Sequence, residues 1–388
     1  MKILIGTDTY PPTVNGAAQF SQRLARGLAS RGHEVHVACP SPTGRPSRID
    51  TDDGIVVHLA RSFHYPKYQN FPVALPGTVG RFVRRLLDDV DPDAIHLQDG
   101  FFLGRTLLKQ ARKRGIGVVA TNHLMPQNVV DHLPIPTFLH SVTAKLLWWD
   151  LARVYGGADV LTSPTPKAVE LLEESTGLQA IAVSNGIDIA PYLPTTEPAT
   201  DEEAPAIMFV GRLDPEKRVD DLLHAMARLP EGIPGRLEII GKGPQGDAWK
   251  AQARQLGLQP NRVVFHGFLS EAELLAAYRR AAVFTMPSIA ELQSLATLEA
   301  MAAGTPVVAA DAMALPHLVH HGDNGFLYAP GNVTELTHHL TTLLQDAQLR
   351  TSMGVRSREI VSDHCLERTL ETFEGLYSDA MRSARLPR

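Results

Sequence analysis

A chain of 388 residues with 44% hydrophobic and 20% charged side chains has apolar material for more than one core, which excludes a disordered polypeptide. Its formal net charge of −5 argues against a general nucleic-acid binder. No stretch reaches the roughly 18 apolar residues of a membrane-crossing helix, and two cysteines, Cys39 and Cys365, cannot build a disulfide scaffold or a four-cysteine zinc site. A cytoplasmic setting is therefore expected. The opening MKILIGTDTYPP is too short and too polar at Asp8 to read as a secretory signal. The charge is uneven: residues 1–190 carry a net +2 and the remainder −7.

Taken in chain order, residues 2–6 form a short apolar strand, followed by a loop at 8–18 and a helix from Gln19 to Ser30. In that helix Phe20, Leu24 and Leu28 recur at i, i+4 and i+8. Strands are predicted at 34–38, 55–60, 94–98, 118–121, 160–163 and 180–184, with helical patterns between most of them. Residues 191–204 are rich in Pro, Thr and acids and read as a linker. Beyond it come strands at 206–210, 236–240, 262–265, 283–286, 306–310 and 325–328, with helices near 218–228, 246–256, 271–281, 293–303 and 332–345. Alternating strands and helices predict an α/β architecture of two doubly wound parallel sheets. The domains expected are 1–190 and 205–365, with a last helix from 366 free to pack back on the first. Two such sheets would offer a ligand cleft at the carboxyl ends of their strands.

Three segments carry chemistry. At 286–304, Glu291 and Glu299 stand on either side of a predicted helix start near Gln293–Ser294, whose first N–H groups and dipole suit a phosphate. Nearby carboxylates suit sugar or ribose hydroxyls; a capping acid and a surface Glu are the plain alternative. At 211–218, GlyArgLeuAspProGluLysArg places Arg212 and Lys217 at a strand-to-helix junction, with Pro215 and Glu216 where a helix would begin. Two cations there can grip a diphosphate, or simply decorate a capped helix. The loop at 8–18 occupies the phosphate-binding position of doubly wound sheets, though Gly16 alone is weak evidence. His123 ends a strand and faces the expected cleft, although a lone histidine there is more often structural. The histidines at 316–321 lack metal-ligand spacing.

Together these residues resemble the retaining glycosyltransferase family 4 of the two-lobed GT-B fold. The carriers are the Glu–seven–Glu motif running into LeuGluAlaMetAlaAlaGlyThrProValValAla at 298–309, the GlyArgLeuAspProGluLys signature, and SerAsnGlyIleAsp at 184–188. The resemblance spans nearly the whole chain. It implies that Arg212 and Lys217 bind the donor diphosphate and that Glu291 binds the donor sugar. It places backbone N–H groups of Gln293, Ser294 and Leu295 near sugar and phosphate, and Glu299 at the ribose. Gly211, Gly241, Lys242, Phe268 and Leu269 would border base and ribose, Gly16 would meet the phosphates, and His123 would contact the sugar near the reacting carbon. No metal or other cofactor is implied. Two departures stand out: AsnGlyAla at 15–17, where Ala17 would be strained if a positive φ were required, and GluLeuGlnSerLeu at 291–295, which leaves donor preference open.

The acceptor reading starts from a basic cluster, Arg81, Arg84, Arg85, Arg105, Lys109, Arg112, Lys113 and Arg114, beside apolar residues 134–140 and Trp148–Trp149. Basic helices with aromatic neighbours dock on anionic membranes, and residues 123–155 resemble lipid-glycosylating members. A peripheral enzyme on the inner face of the cell membrane, making a glycolipid, is expected. The alternatives are a soluble acceptor, with the charges solvated and both tryptophans in the core, or a nucleotide-sugar isomerase.

Overall fold

A computed structural model describes residues 1–13, 15–65, 68–130, 135–193 and 205–385. Most of the expected linker, together with Pro134 and residues 386–388, lies outside them. The strands are, in chain order, β1 (Lys2–Gly6), β2 (Glu34–Pro40), β3 (Ser47–Asp50), β4 (Val56–Ala60), β5 (Ser62–Tyr65), β6 (Tyr68–Ala74), β7 (Ala94–Leu97), β8 (Gly117–Thr121), β9 (Val160–Ser163) and β10 (Ile181–Ala182), then β11 (Ala206–Val210), β12 (Arg236–Ile240), β13 (Val263–Gly267), β14 (Ala281–Met286), β15 (Val307–Ala310) and β16 (Gly325–Tyr328). They build one sheet of order β10-β9-β8-β7-β1-β2-β4-β3, a second of order β13-β12-β11-β14-β15-β16, and a small β5–β6 hairpin. Within the two large sheets every pairing is parallel except β3 with β4.

The first unit comprises Met1–Gly186 and Leu366–Arg388. Strand alternation splits its apolar residues between two faces. Leu4, Ile95, Leu97 and Val118 face the helices Pro76–Val90, Phe102–Arg114 and His140–Tyr155. Ile3, Ile5, Val35 and Val119 face the helices Gly16–Ser30 and Leu366–Arg385. The last helix belongs here because Leu370, Phe373, Tyr377 and Ala380 are buried along one of its sides and two glycines let it approach. A Cβ at Gly27 would stand 2.6 Å from Leu370, and one at Gly117 2.6 Å from the Ala380 backbone. Burying each large side chain contributes roughly 1.5–3 kcal/mol.

The second unit is Ile187–Cys365. It starts earlier than composition places it, because Ile187 is fully buried in this unit's core and its N–H donates to His364 O at 3.0 Å. Residues 187–190, assigned from sequence to the first domain, therefore belong to the second.

Candidate functional site

Strands β11, β12 and β13 run out into a backbone-to-backbone floor. Gly211 N–H donates to Ile240 O at 3.0 Å, Gly241 N–H to Gly267 O at 2.8 Å and Leu213 N–H to Lys242 O at 3.1 Å. Gly241 has φ +134°, and a Cβ there would overlap the Gly211 carbonyl, so only glycine fits. Above this floor Lys242 Nζ sits 5.1 Å from the centre of the Phe268 ring, which is 58% exposed. Leu269, next along, is anchored against the core.

After β11 the chain makes a 3-10 turn, Pro215–Lys217, and not the start of an α-helix. The α-helix begins at Val219, because Arg218 takes a left-handed φ of +48° and is held there by two bonds to Asp221, at 2.8 and 3.0 Å. The delay frees Lys217 to reach sideways. Its Nζ donates to Glu291 Oε1, and both side chains are largely buried. Arg212, half exposed, lies 2.6 Å from the buried Asp214 carboxylate and 3.6 Å from Glu216. The Glu291 loop is tied on both sides, with Ile289 N–H on Glu216 O and Ala314 N–H on Glu291 O, each at 3.1 Å. Each cation thus already has a carboxylate partner, Arg212 with Asp214 and Glu216 and Lys217 with Glu291.

The helix Leu295–Ala302 follows directly. Ser294 caps it, its Oγ accepting from Thr297 N–H at 3.3 Å and from Thr297 Oγ1 at 2.9 Å. Leu295 and Ala296 N–H remain at the open, positive end, with Gln293 and Ser294 buried beside them. Glu299, on the same helix, is also buried and accepts from the Tyr278 hydroxyl at 2.9 Å.

In the first unit, Gly16 opens the helix Gly16–Ser30, and Asn15 Oδ1 accepts from Ala18 N–H at 2.8 Å. This helix starts three residues before the predicted Gln19. Ala17 is therefore helical and carries no positive φ, which removes the strain expected there. His123 follows β8, donates from Nε2 to Gln98 Oε1 at 2.7 Å and packs on Phe20 with ring centres 5.1 Å apart. Desolvation lowers its pKa to about 4, so the ring is neutral near pH 7.

Beside it lies a feature the sequence reading missed. Asp8 N–H donates to Asp99 Oδ2 at 2.5 Å, and Phe101 N–H to Asp99 Oδ1 at 3.3 Å. Burial and the neighbouring Asp99 push the Asp8 carboxyl well above the usual carboxylate range, and burial raises that of Asp99 as well. The available signal was positional: each acid stands two residues past the end of one of two adjacent parallel strands, β1 and β7.

The expected aromatic pair divides. Trp148 is buried, whereas Trp149 is exposed on the helix His140–Tyr155 with Val142 and Leu146, Phe138 is exposed in the turn before it, and Arg153 lies 4.8 Å over the Trp149 ring. Within the basic cluster Arg105 is paired to Asp150 and Arg114 to Asp88, while Arg81, Arg84, Arg85, Lys109 and Lys113 are exposed. Among the described residues no helix is long and apolar enough to cross a membrane.

Residues 14–190 match the profile described as Glycosyltransferase Family 4, and residues 196–360 match Glycosyl transferases group 1. A GDP-mannose-dependent alpha-mannosyltransferase of Mycolicibacterium smegmatis is 31% identical over 80% of this chain and 80% of its own length. The chain belongs to glycosyltransferase family 4. Another relative, an alpha-monoglucosyldiacylglycerol synthase of Acholeplasma laidlawii, is 23% identical over 98% of this chain and 97% of its own. The fold matches that of a sucrose-phosphate synthase from Thermosynechococcus elongatus with a TM-score of 0.82, at 20% identity, over 99% of this chain and 100% of that one. This family 4 enzyme is therefore a hexosyltransferase with two GT-B-type α/β units.

Proposed function

We propose that this family 4 enzyme moves a sugar, with retention of anomeric configuration, from a nucleotide-diphosphate sugar to a hydroxyl of a membrane-lipid acceptor. It works without a metal, as a peripheral protein on the cytoplasmic face of the membrane. The observation that carries the donor half is the Lys217–Glu291 pair, with Lys217 five residues after Arg212 and Glu291 one loop from an open helix N-terminus.

In this reading the diphosphate displaces carboxylate contacts from Arg212 and Lys217 and takes N–H donors at the start of the Leu295–Ala302 helix. Glu291, released from part of its ion pair, accepts from the donor sugar's hydroxyls. Glu299, already oriented by Tyr278, takes the ribose. Phe268 and Lys242 border the base above the Gly211–Gly241–Gly267 floor. Gly16 meets the phosphates, and neutral His123 meets the sugar near its reacting carbon. As the anomeric carbon–oxygen bond breaks, charge grows on the diphosphate, and the two cations and the helix end stabilise it. The acceptor oxygen bonds to the same face of the carbon, and its proton passes to the departing phosphate oxygen. The products are the glycoside and a nucleoside diphosphate.

The lipid acceptor is supported by the exposed apolar residues Phe138, Val142, Leu146 and Trp149, by the exposed Arg81, Arg84, Arg85, Lys109 and Lys113 of the same unit, and by the diacylglycerol in one relative's name. The pairing of Arg105 and Arg114 and the burial of Trp148 favour the second reading, a soluble saccharide acceptor. Labelled UDP-glucose and GDP-mannose, offered with diacylglycerol vesicles or free glucosides, separate the two. Label in the lipid fraction with the α configuration kept is expected. Label only in free glucosides establishes the second reading, and an isomerised donor without transfer contradicts both.

A further inference from the structure

We propose that Asp8, Gln98 and Asp99 form a subsite that holds the reacting end of the acceptor, and that this end is an uncharged polyol with neighbouring hydroxyls and no phosphate. The proposal rests on the reading that the first unit takes the acceptor. The three residues sit just past the ends of β1 and β7, which pair directly, Gly6 opposite Leu97. Two hydrogen bonds lock them together: Asp8 N–H to Asp99 Oδ2 at 2.5 Å and Gln98 N–H to Gly6 O at 2.9 Å. That edge is where parallel sheets bind ligands.

The subsite is buried but unfinished. Asp8 is 4% exposed and Gln98 1%, yet Asp8 Oδ2 and Gln98 Nε2 have no hydrogen-bond partner among the described residues. Buried polar atoms of folded proteins are paired with few exceptions, and two orphans at one strand edge are what a ligand's hydroxyls would satisfy. The inventory also fits hydroxyls. The carboxyl oxygens of Asp8 and Asp99 accept, and the Gln98 amide donates. A phosphate, which only accepts, would face two buried carboxyl groups. The nearby cation, Arg105, is already committed to Asp150 at 2.6 Å and to Gly100 O at 3.1 Å. Gln98 also holds His123, so a hydroxyl bound here lies next to the histidine proposed to meet the donor sugar.

The test is saturation-transfer NMR on the full chain, with UDP and GDP present to fill the nucleotide site. The probes are methyl α-glucoside, glycerol and myo-inositol, set against glucose 6-phosphate. The neutral polyols are expected to bind, and binding is expected to fall about tenfold or more in Asp8→Asn and Asp99→Asn, the worth of one charge-assisted hydrogen bond. Nucleotide binding stays unchanged. Gln98→Ala repeats the measurement should either asparagine variant fail to fold. Equal polyol signals in wild type and variants, no polyol binding at all, or preference for glucose 6-phosphate would overturn the proposal. Failure of UDP and GDP to bind the wild type strikes the donor reading instead and leaves the polyol result to be read on its own.

Discussion

Lys217 and Glu291, 74 positions apart in the chain, are hydrogen-bonded to each other across two loops, with side chains only 15% and 12% exposed. Each holds the other in place. Removing one partner of a buried pair strands the other and costs about 3–5 kcal/mol; the partial exposure here makes the cost smaller. Lys217→Ala is therefore expected to destabilise the second unit and to lower turnover by about 10²–10³-fold. Adding Glu291→Gln should restore the melting temperature but not the turnover. Thermal melts and initial rates on the three proteins check this. Joint recovery of both properties would mark the pair as structural.

The glycine floor makes a sharper stability prediction. Gly241→Ala meets both a forbidden φ of +134° and the Gly211 carbonyl, and should cost more than about 4 kcal/mol in urea unfolding of the second unit. Gly232 also has a positive φ, +83°, but open space around it, so Gly232→Ala should cost only about 1–2 kcal/mol. Equal losses would show that close approach is not what requires glycine at 241.

Phe268 is exposed and contributes little to the core, so Phe268→Ala should leave the melting temperature unchanged. Its proposed place beside the base predicts a loss of about 1–3 kcal/mol in nucleotide-sugar affinity. Calorimetric titration with UDP-glucose and GDP-mannose measures this, and unchanged affinity for both would remove Phe268 from the donor site.

Burial lowers the pKa of His58 and His123 to about 4 and that of His96, fully enclosed between Tyr377 and Thr121, to about 3. In the unfolded chain these rings take up protons near pH 6.5. Between about 3 and 6.5 the unfolded state therefore binds more protons, and the stability of the first unit should rise with pH across that window. Asp8 acts in the opposite sense: its raised pKa contributes stability that is lost as pH rises through the folded value. Urea midpoints at pH 5 and 7 should show the first unit less stable at 5, and a flat or inverted trend would contradict the histidine assignments.

The apolar runs made most strands legible: β9, β11, β12 and β16 fall where the sequence places them. The strand β3 carries no such pattern, because all four of its residues are exposed at a sheet edge. Leu370, Phe373, Tyr377 and Ala380 announce a helix but not the core it joins; Gly27 and Gly117 decide that from a distance. Arg212, Lys217 and Glu291 were legible because motif spacing survives in one sequence. The Asp8–Asp99 contact was not, since it spans 91 positions and exists only through the pairing of β1 with β7. Nor did the residues show that both cations would already hold carboxylate partners.

The most direct test of the central claim compares UDP with uridine, and GDP with guanosine, on wild type and on Arg212→Ala/Lys217→Ala by calorimetric titration. If the two cations hold the diphosphate, at least one of the two nucleotides should bind wild type about 10²-fold or more tighter than its nucleoside, and most of that margin should vanish in the variant. An equal margin in both proteins would contradict it.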